Sequence, residues 1–407
     1  MLKDVGKKPV QWMLKEMAVF LVRLKRPTVI AVTGSVGKTT TKEMIWQVLG
    51  GSDAKALDKT RGNLNTEFGL PISLLSFEWS LDWKAWARNF LLAFPRRLVN
   101  FPKIFVAEMG ADKRGDIVYL CKIARPKIAV VTSIGSAHLE KFGTIENTIA
   151  EKGSLVENLL PGGVAILNAD DARVLGLTSK CQGSVVTYGF AQAADIKISQ
   201  VAQEAGTLSF EITANNQSVK IELNVLGKHF AYAAAAACAV GLAFGLSLSE
   251  ISRRLAGFKL PEGRAQLLRG KKGEQVIHDA YNANPASVAA ALEVLSTFET
   301  NGKKIAVLGD MLELGSAEVA GHKEIGKVAA RTADLLLAVG SNGKIIGDEA
   351  QKYMPGQNIY WLPNSEVAAI ALENLTKEGD VVLVKGSKAM KMRKVVERLT
   401  DYKCEYE

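Results

Sequence analysis

Short β-branched or apolar runs, each closing on glycine or polar residues, alternate with stretches of helical spacing through most of this chain. TVIAVT (28–33), IFVAEMG (104–110), KIAVVTSIG (127–135) and GVAILNADD (163–171) read as buried strands of an α/β fold. Between Asp195 and Leu226 the period falls to two around Asn215-Asn216, which predicts a small antiparallel element. After Leu260-Pro261-Glu262-Gly263 a second α/β series begins, with EQVIHDAYNANP, KKIAVLGDM, ADLLLAVG and GDVVLVKGS. The expected architecture is therefore α/β throughout. A central domain over 28–260 has a mainly parallel sheet plus the antiparallel element, and a Rossmann-like C-terminal domain over 261–407 follows a boundary near 261.

The run AYAAAAACAVGLAFGLSL (231–248) is long enough to resemble a membrane span. Alanine contributes little to insertion and is the best helix former, so a tightly packed buried helix is expected. Two other segments combine basic and aromatic residues. One is an N-terminal helix within 1–27, with Trp12, Met13, Phe20 and Leu21 among Lys15, Arg23, Lys25 and Arg26; the other is an insertion over 79–101, with Trp79, Trp83, Trp86, Arg96 and Arg97. Both read as amphipathic helices with cationic flanks, able to lie on an anionic membrane surface or to cover an apolar face; the plainer alternative is that they pack on each other.

The strand at 28–33 runs into Gly34-Ser35-Val36-Gly37-Lys38-Thr39-Thr40, a glycine loop that opens a helix. Such a junction aims backbone N–H groups, a helix dipole and one lysine at a single point, which suits a polyphosphate. The loop is a compact form of the G-x-x-x-x-G-K-[ST] pattern, with Val32 where a glycine would stand. Gly34 and Gly37 permit the turn, Lys38 reaches terminal phosphate oxygens, and the Thr39 hydroxyl can ligate Mg²⁺. ATP or GTP binding is expected.

A balance of 51 basic against 42 acidic residues gives +9, which favours anionic partners without choosing among them. Cys121, Cys181, Cys238 and Cys404 lie far apart with no C-x-x-C, so neither a zinc framework nor dense disulfides is indicated, and reduced thiols in a cytoplasm are the simplest account. Charged residues interrupt the N-terminus, so no secretion signal is read. The expected location is cytoplasmic, with the basic aromatic helices as the candidate contact with the inner face of the membrane. No basic strip interleaved with stacking aromatics accompanies a DNA-reading motif, so no nucleic-acid partner is expected.

TGSVGKTTTKE, GNLNTEFGLP (62–71), AEMGADKRGDI (107–117), ARPKIAVVTSIGSAHLEKFG (124–143), LNADD (167–171), GRAQ (263–266), DAYNANPAS (279–287), LGDMLELG (308–315) and VLVKGSKAMKM (382–392) together resemble the Mur ligases, in family order. These are the ATP-dependent amide-forming enzymes of peptidoglycan assembly. DAYNANP, LGDMLELG and VKGS are most similar to the branch that adds D-alanyl-D-alanine to UDP-N-acetylmuramoyl tripeptide. The resemblance implies ATP and Mg²⁺, an acyl phosphate made on a substrate carboxylate, and capture of that acyl phosphate by an amine.

By the same resemblance, Gly34, Ser35, Val36, Gly37, Lys38, Thr39 and Thr40 hold the nucleotide phosphates, with Arg264, Asp279 and Asn282 reaching the nucleotide from the other domain. Thr39, Glu108 and His138 are implied at the metal. Lys152 aligns with the lysine that several Mur ligases carbamylate, although the usual glutamate two residues on is Ser154. Lys38, Lys152 and His138 are the implied catalytic set. Asn63, Asn65, Asn284, Asp310, Glu313, Lys385 and Ser387 are implied to face the substrates, a UDP-muramoyl peptide or related acidic peptide and D-alanyl-D-alanine.

Departures from the family pattern carry their own expectations. The family has a separate N-terminal domain for the UDP-sugar end, and only residues 1–27 precede the first strand here, so that domain is expected to be lacking. Asparagines near the adenine are replaced by Phe230 and Ala233, His278 stands for an aspartate, Ser133 for asparagine and Lys388 for arginine. Two other readings follow: a ligase for another acidic acceptor, of the folylpolyglutamate or cyanophycin synthetase type, or a non-catalytic nucleotide-binding scaffold for wall enzymes.

Overall fold

The computed structural model describes residues 7–62, 64–80, 82–135, 139–204 and 206–404. Nine strands form the first sheet: β1 (Thr28–Thr33), β2 (Leu57–Lys59), β3 (Ile104–Glu108), β4 (Ile128–Val131), β5 (Val164–Asn168), β6 (Ser184–Gly189), β7 (Ile196–Glu204), β8 (Thr207–Ala214) and β9 (Gln217–Leu223). Their order is β2-β3-β1-β4-β5-β6-β7-β8-β9, parallel up to β7 and antiparallel beyond it. The expected antiparallel element is thus the far edge of the same sheet. Its alternation is visible in β8, where every second residue is buried, whereas β4 is buried at every position, as a strand covered on both faces must be.

The second sheet takes β10 (Gln266–Arg269), β11 (Gln275–Asp279), β12 (Lys304–Gly309), β13 (Leu335–Val339), β14 (Ile359–Leu362) and β15 (Val381–Lys385) in the order β10-β11-β15-β12-β13-β14. Only the β10–β11 pair is antiparallel. Register sets the functional edges. Val32 pairs with Glu108, so the exit of β1 into the glycine loop lies beside the end of β3. In the second sheet Asp279 pairs with Lys385, so two oppositely charged residues end neighbouring parallel strands at one level. Ligands of open α/β sheets bind at such carboxyl ends.

The alanine-rich run is the helix His229–Ala243, buried as expected against the helix Lys38–Val48 and strands β5 to β7. A Cβ on Gly241 would sit 2.8 Å from both Val48 Cγ1 and Ile251 Cδ1, so glycine is what lets this helix lie between its neighbours. Among the described residues no helix is long and apolar enough to cross a membrane.

The helix Lys7–Lys25 buries Leu14, Ala18 and Leu21 and packs against the helices Gly69–Leu75 and Asp116–Ile123. Its other side exposes Trp12, Phe20 and Leu24. The insertion is broken into the helix Trp83–Arg88, a wider π-type turn Asn89–Ala93 and the helix Phe94–Val99. From it Trp86 and Phe90, stacked on each other, meet Phe77 edge-to-face, while Leu91, Leu92 and Val99 remain exposed.

Several contacts among the described residues join the two lobes. Arg264 Nη2 donates to Thr39 Oγ1 at 3.2 Å. Gly315 packs so closely on the short helix Leu139–Phe142 that a Cβ there would stand 2.6 Å from Glu140 Cα. Lys228 and Glu293 form an ion pair at 2.6 Å on the exposed rim.

Candidate active site

The glycine loop is held from below by the strand beside it. Thr132 Oγ1 donates to the Val36 carbonyl at 2.5 Å, and a Cβ on Gly34 would come within 2.0 Å of that same oxygen. Gly37 turns at φ +84°, in the left-handed region, and the helix Lys38–Val48 starts with no side chain capping its first turn. The N–H groups of its first turn are thus not taken up by a side-chain cap among the described residues. The N–H groups of Ser35 and Val36, expected to cradle phosphate, are turned instead to Ser133, at 2.8 Å to its carbonyl and 3.0 Å to its hydroxyl. Ser133 thereby braces the loop.

Two lysines converge on one neutral oxygen. Lys38 Nζ donates to the Gly34 carbonyl at 2.7 Å, and Lys152 Nζ reaches the same carbonyl at 3.2 Å. Burial lowers the pKa of Lys38, offset in part by Glu108. Lys152 is 1% exposed, and burial first, then the charge of Lys38, brings its ammonium down to about 7. An anion at this point would balance both cations.

Glu108 is 2% exposed, and Asn65 Nδ2 donates to its Oε1 at 2.8 Å. Its Oε2 has no hydrogen-bond partner among the described residues, with Lys42 Nζ at 3.7 Å. A buried carboxylate oxygen of this kind fits a hard cation, and the Thr39 hydroxyl is a second oxygen of the type Mg²⁺ takes as ligand. Lys42, missed in the sequence, is fully buried, donating to the Thr60 and Gly62 carbonyls at 2.9 and 3.1 Å and facing Glu43 at 3.2 Å. Its spacing from Lys38, four residues along one helix, was the available signal.

The second sheet contributes a contiguous chain of contacts. Arg264, stacked over Tyr281 at 4.7 Å, touches Thr39; the next backbone N–H, of Ala265, donates to Asp279 Oδ1 at 3.2 Å. Asp279 Oδ2 pairs with Lys385 Nζ at 2.6 Å, and Lys385 also donates to the Asn282 carbonyl at 3.0 Å. The two nucleotide half-sites of the sequence analysis, around Lys38 and around Asp279, are thus joined through one arginine.

Other expected residues are engaged within the fold. Asn284 accepts from Ser287 N at 2.9 Å and, with the return bond from its own N–H to Ser287 Oγ, caps the helix Pro285–Thr297. The Asp310 carboxylate is 4% exposed and accepts from Gly343 N at 2.7 Å and Ser341 Oγ at 3.3 Å, so it fastens the turn after β13 rather than facing the cleft. Ser387 Oγ accepts from Leu312 N at 2.9 Å and ties two strand-end loops together. Glu313, in the left-handed region at φ +66°, reaches Lys141 at 4.0 Å across the gap between the sheets. Phe230 and Ala233 belong to the core. Asn63 and His138 lie outside the described residues.

An uncapped loop-to-helix junction, converging lysines, a buried acid and an arginine from a second α/β sheet define a P-loop nucleotide enzyme whose two lobes meet over the loop. The profile of the Mur ligase middle domain matches residues 32–241, and that of the Mur ligase, glutamate ligase domain matches 263–388. The chain belongs to the Mur ligase family. It is 33% identical over 390 residues to the UDP-N-acetylmuramoyl-tripeptide--D-alanyl-D-alanine ligase of Bacillus subtilis, across 95% of this chain and 79% of that one. Its fold is similar to that of MurF from Acinetobacter baumannii, with a TM-score of 0.82 at 28% identity over 96% of this chain and 81% of that one. It is similar also to MurF ligase from Thermotoga maritima in complex with ADP, at a TM-score of 0.80 and 28% identity over 95% and 83%.

Proposed function

We propose that this chain is an ATP-dependent amide ligase of peptidoglycan precursor synthesis that joins D-alanyl-D-alanine to a UDP-N-acetylmuramoyl tripeptide. The observation that carries the reading is the convergence of Lys38, Lys152 and Arg264 around a loop whose neighbouring acid, Glu108, has an oxygen without a donor among the described residues. The terminal carboxylate of the tripeptide attacks the γ-phosphorus, giving an acyl phosphate and ADP; the amine of D-alanyl-D-alanine then displaces phosphate, loses a proton and leaves the amide.

Lys38, with the loop from Gly34 to Thr40, holds the phosphates, and Arg264 keeps them in place from the second lobe. Thr39 and Glu108 would hold Mg²⁺, which draws charge from the phosphate oxygens. His138 belongs to the same proposed metal set by resemblance. Lys152, with a pKa brought to about 7, spends a large part of its time as the neutral amine that reacts with CO₂, which supports the carbamylated role. Asp279 and Asn282 would contact the ribose side. Asn63, Asn65, Glu313, Lys385 and the cleft lined by Thr66, Glu67, Gly110 and Lys113 are the proposed substrate side. The domain limits 28–260 and 261–407 are part of this reading.

A mass-spectrometric assay with UDP-muramoyl tripeptide, D-alanyl-D-alanine and ATP tests it. One amide product per ADP and phosphate is expected. Turnover with only a folate-type or other non-wall acceptor, or with none, overturns the assignment.

A peripheral membrane contact at the cytoplasmic face is a second part of the proposal. Its support is the exposed set Trp12, Phe20 and Leu24 on a helix rich in lysine and arginine, with Leu91 and Leu92 exposed on a turn flanked by Arg88, Arg96 and Arg97. The full chain should float with vesicles containing anionic lipid and not with neutral ones. Absence of any lipid-dependent flotation removes this contact while leaving the ligase reading intact.

A further inference from the structure

In the second lobe, next in sequence to Arg264 and Asp279, three residues of different chemistry meet. Glu262 lies in the connection that enters β10, His278 in β11, and Cys404 in the tail beyond the helix Arg393–Leu399. One side-chain oxygen, nitrogen and sulfur from these residues all lie within 4.8 Å of one another. His278 Nε2 and Cys404 Sγ are 3.5 Å apart.

We propose that Glu262, His278 and Cys404 form a zinc site that fastens the C-terminal tail to the segment linking the two lobes. The donor set selects the metal. A thiolate with an imidazole and one carboxylate suits Zn²⁺, whereas Mg²⁺ requires oxygen ligands in an octahedron. The geometry agrees: Zn–S of about 2.3 Å and Zn–N of about 2.0–2.1 Å at a tetrahedral angle place sulfur and nitrogen about 3.5 Å apart. Three protein ligands leave the fourth position to water.

The surroundings hold the ligands in place. His278 is fully buried in a strand paired on both sides, with Gln266 and with Val384. Tyr402 bonds to the Glu262 carboxylate and to Gln266, and its ring lies 6.1 Å from that of His278. An outer hydrogen bond of this kind orients a ligating carboxylate. Cys404 N donates to Glu397 at 3.3 Å, which sets the tail's direction. The site is next to Arg264 and Asp279 in sequence, so its occupancy stiffens the backbone that presents both. Metal occupancy here is read without substrate and independently of turnover.

The test is cobalt titration of the full-length chain after chelation, with Co²⁺ as the only ligand. One equivalent should give the strong visible bands of a four-coordinate ion together with a sulfur-to-cobalt charge-transfer band, and Zn²⁺ should abolish both. Cys404→Ser, a change in the half-buried tail, should remove the charge-transfer band and weaken Zn²⁺ at least tenfold. His278→Gln and Glu262→Gln should also weaken it, while Cys181→Ser leaves the spectrum unchanged. Absence of the band in the unmodified chain, or its persistence in Cys404→Ser, overturns the proposal.

Discussion

The two lobes treat their charged residues in opposite ways. Around the glycine loop, charges are buried without full compensation among the described residues: two lysines share the Gly34 carbonyl, and a Glu108 oxygen lacks a donor. In the second lobe the comparable groups are satisfied by the protein itself. Asp279 is paired with Lys385 and the Ala265 N–H, Asn284 is a helix cap, and Asp310 and Ser387 fasten loops. The first lobe stores electrostatic strain that a bound anion and cation relieve, and the second is a stiff frame that presents one arginine. Substitutions should therefore cost activity in one lobe and stability in the other.

The largest effect is expected where that frame carries a buried charge. Asp279→Ala leaves Lys385, 3% exposed, without its carboxylate, a loss on the order of 3–5 kcal/mol in stability. Denaturant unfolding checks it, and a change near zero would mean that the frame is not held by this pair. In the loop, Lys38→Ala should lower turnover by about 10²–10³-fold. Its unfolding free energy should stay level or rise, because a poorly solvated ammonium has been removed; a clear loss of stability there would erase the contrast between the lobes.

A smaller effect is expected at Asn284→Ala, about 0.5–2 kcal/mol in stability from the lost cap. If kcat falls tenfold while stability is unchanged, Asn284 acts on substrate and the second lobe is less purely a frame than its bonds indicate. The smallest effect concerns pH. The Lys152 ammonium titrates near 7 in the fold and at its ordinary value of 10.5 when unfolded. Between these values the unfolded chain binds the extra proton, so stability rises with pH, by about 1 kcal/mol from pH 7 to 8. The rise should be absent in Lys152→Met. Labelled CO₂ should add to Lys152 increasingly over the same interval, which carbon NMR can follow.

The strands, the loop and the buried alanine helix were legible in the sequence because each is a local pattern: a β-branched run, a glycine pair before a lysine, an apolar stretch too rich in alanine for lipid. The antiparallel element was legible from its period, but not its attachment to the β6 edge of the parallel sheet, which rests on the pairing of Tyr188 and Gly189 with Ile196 and Lys197. At the site, residue identities were readable and their partners were not. Nothing local to Glu108 says that Val32 lies in register with it, or that Asn65 will satisfy only one of its oxygens. Lys42 was overlooked because its partners come from the separate segment at Thr60 and Gly62. The motifs imply substrate-side positions for Asn284 and Asp310, but a motif marks a position without telling that one side chain caps a helix and the other accepts from Gly343 N.

The Arg264–Thr39 bond has a kinetic consequence. The hydroxyl proposed for the metal is already spoken for by a guanidinium from the opposite sheet, so an arriving nucleotide competes with an existing intramolecular contact. Its capture rate should then level off at high concentration, at a ceiling set by how often that latch lets go, and shortening the arginine should lift the ceiling even as it loosens the final grip.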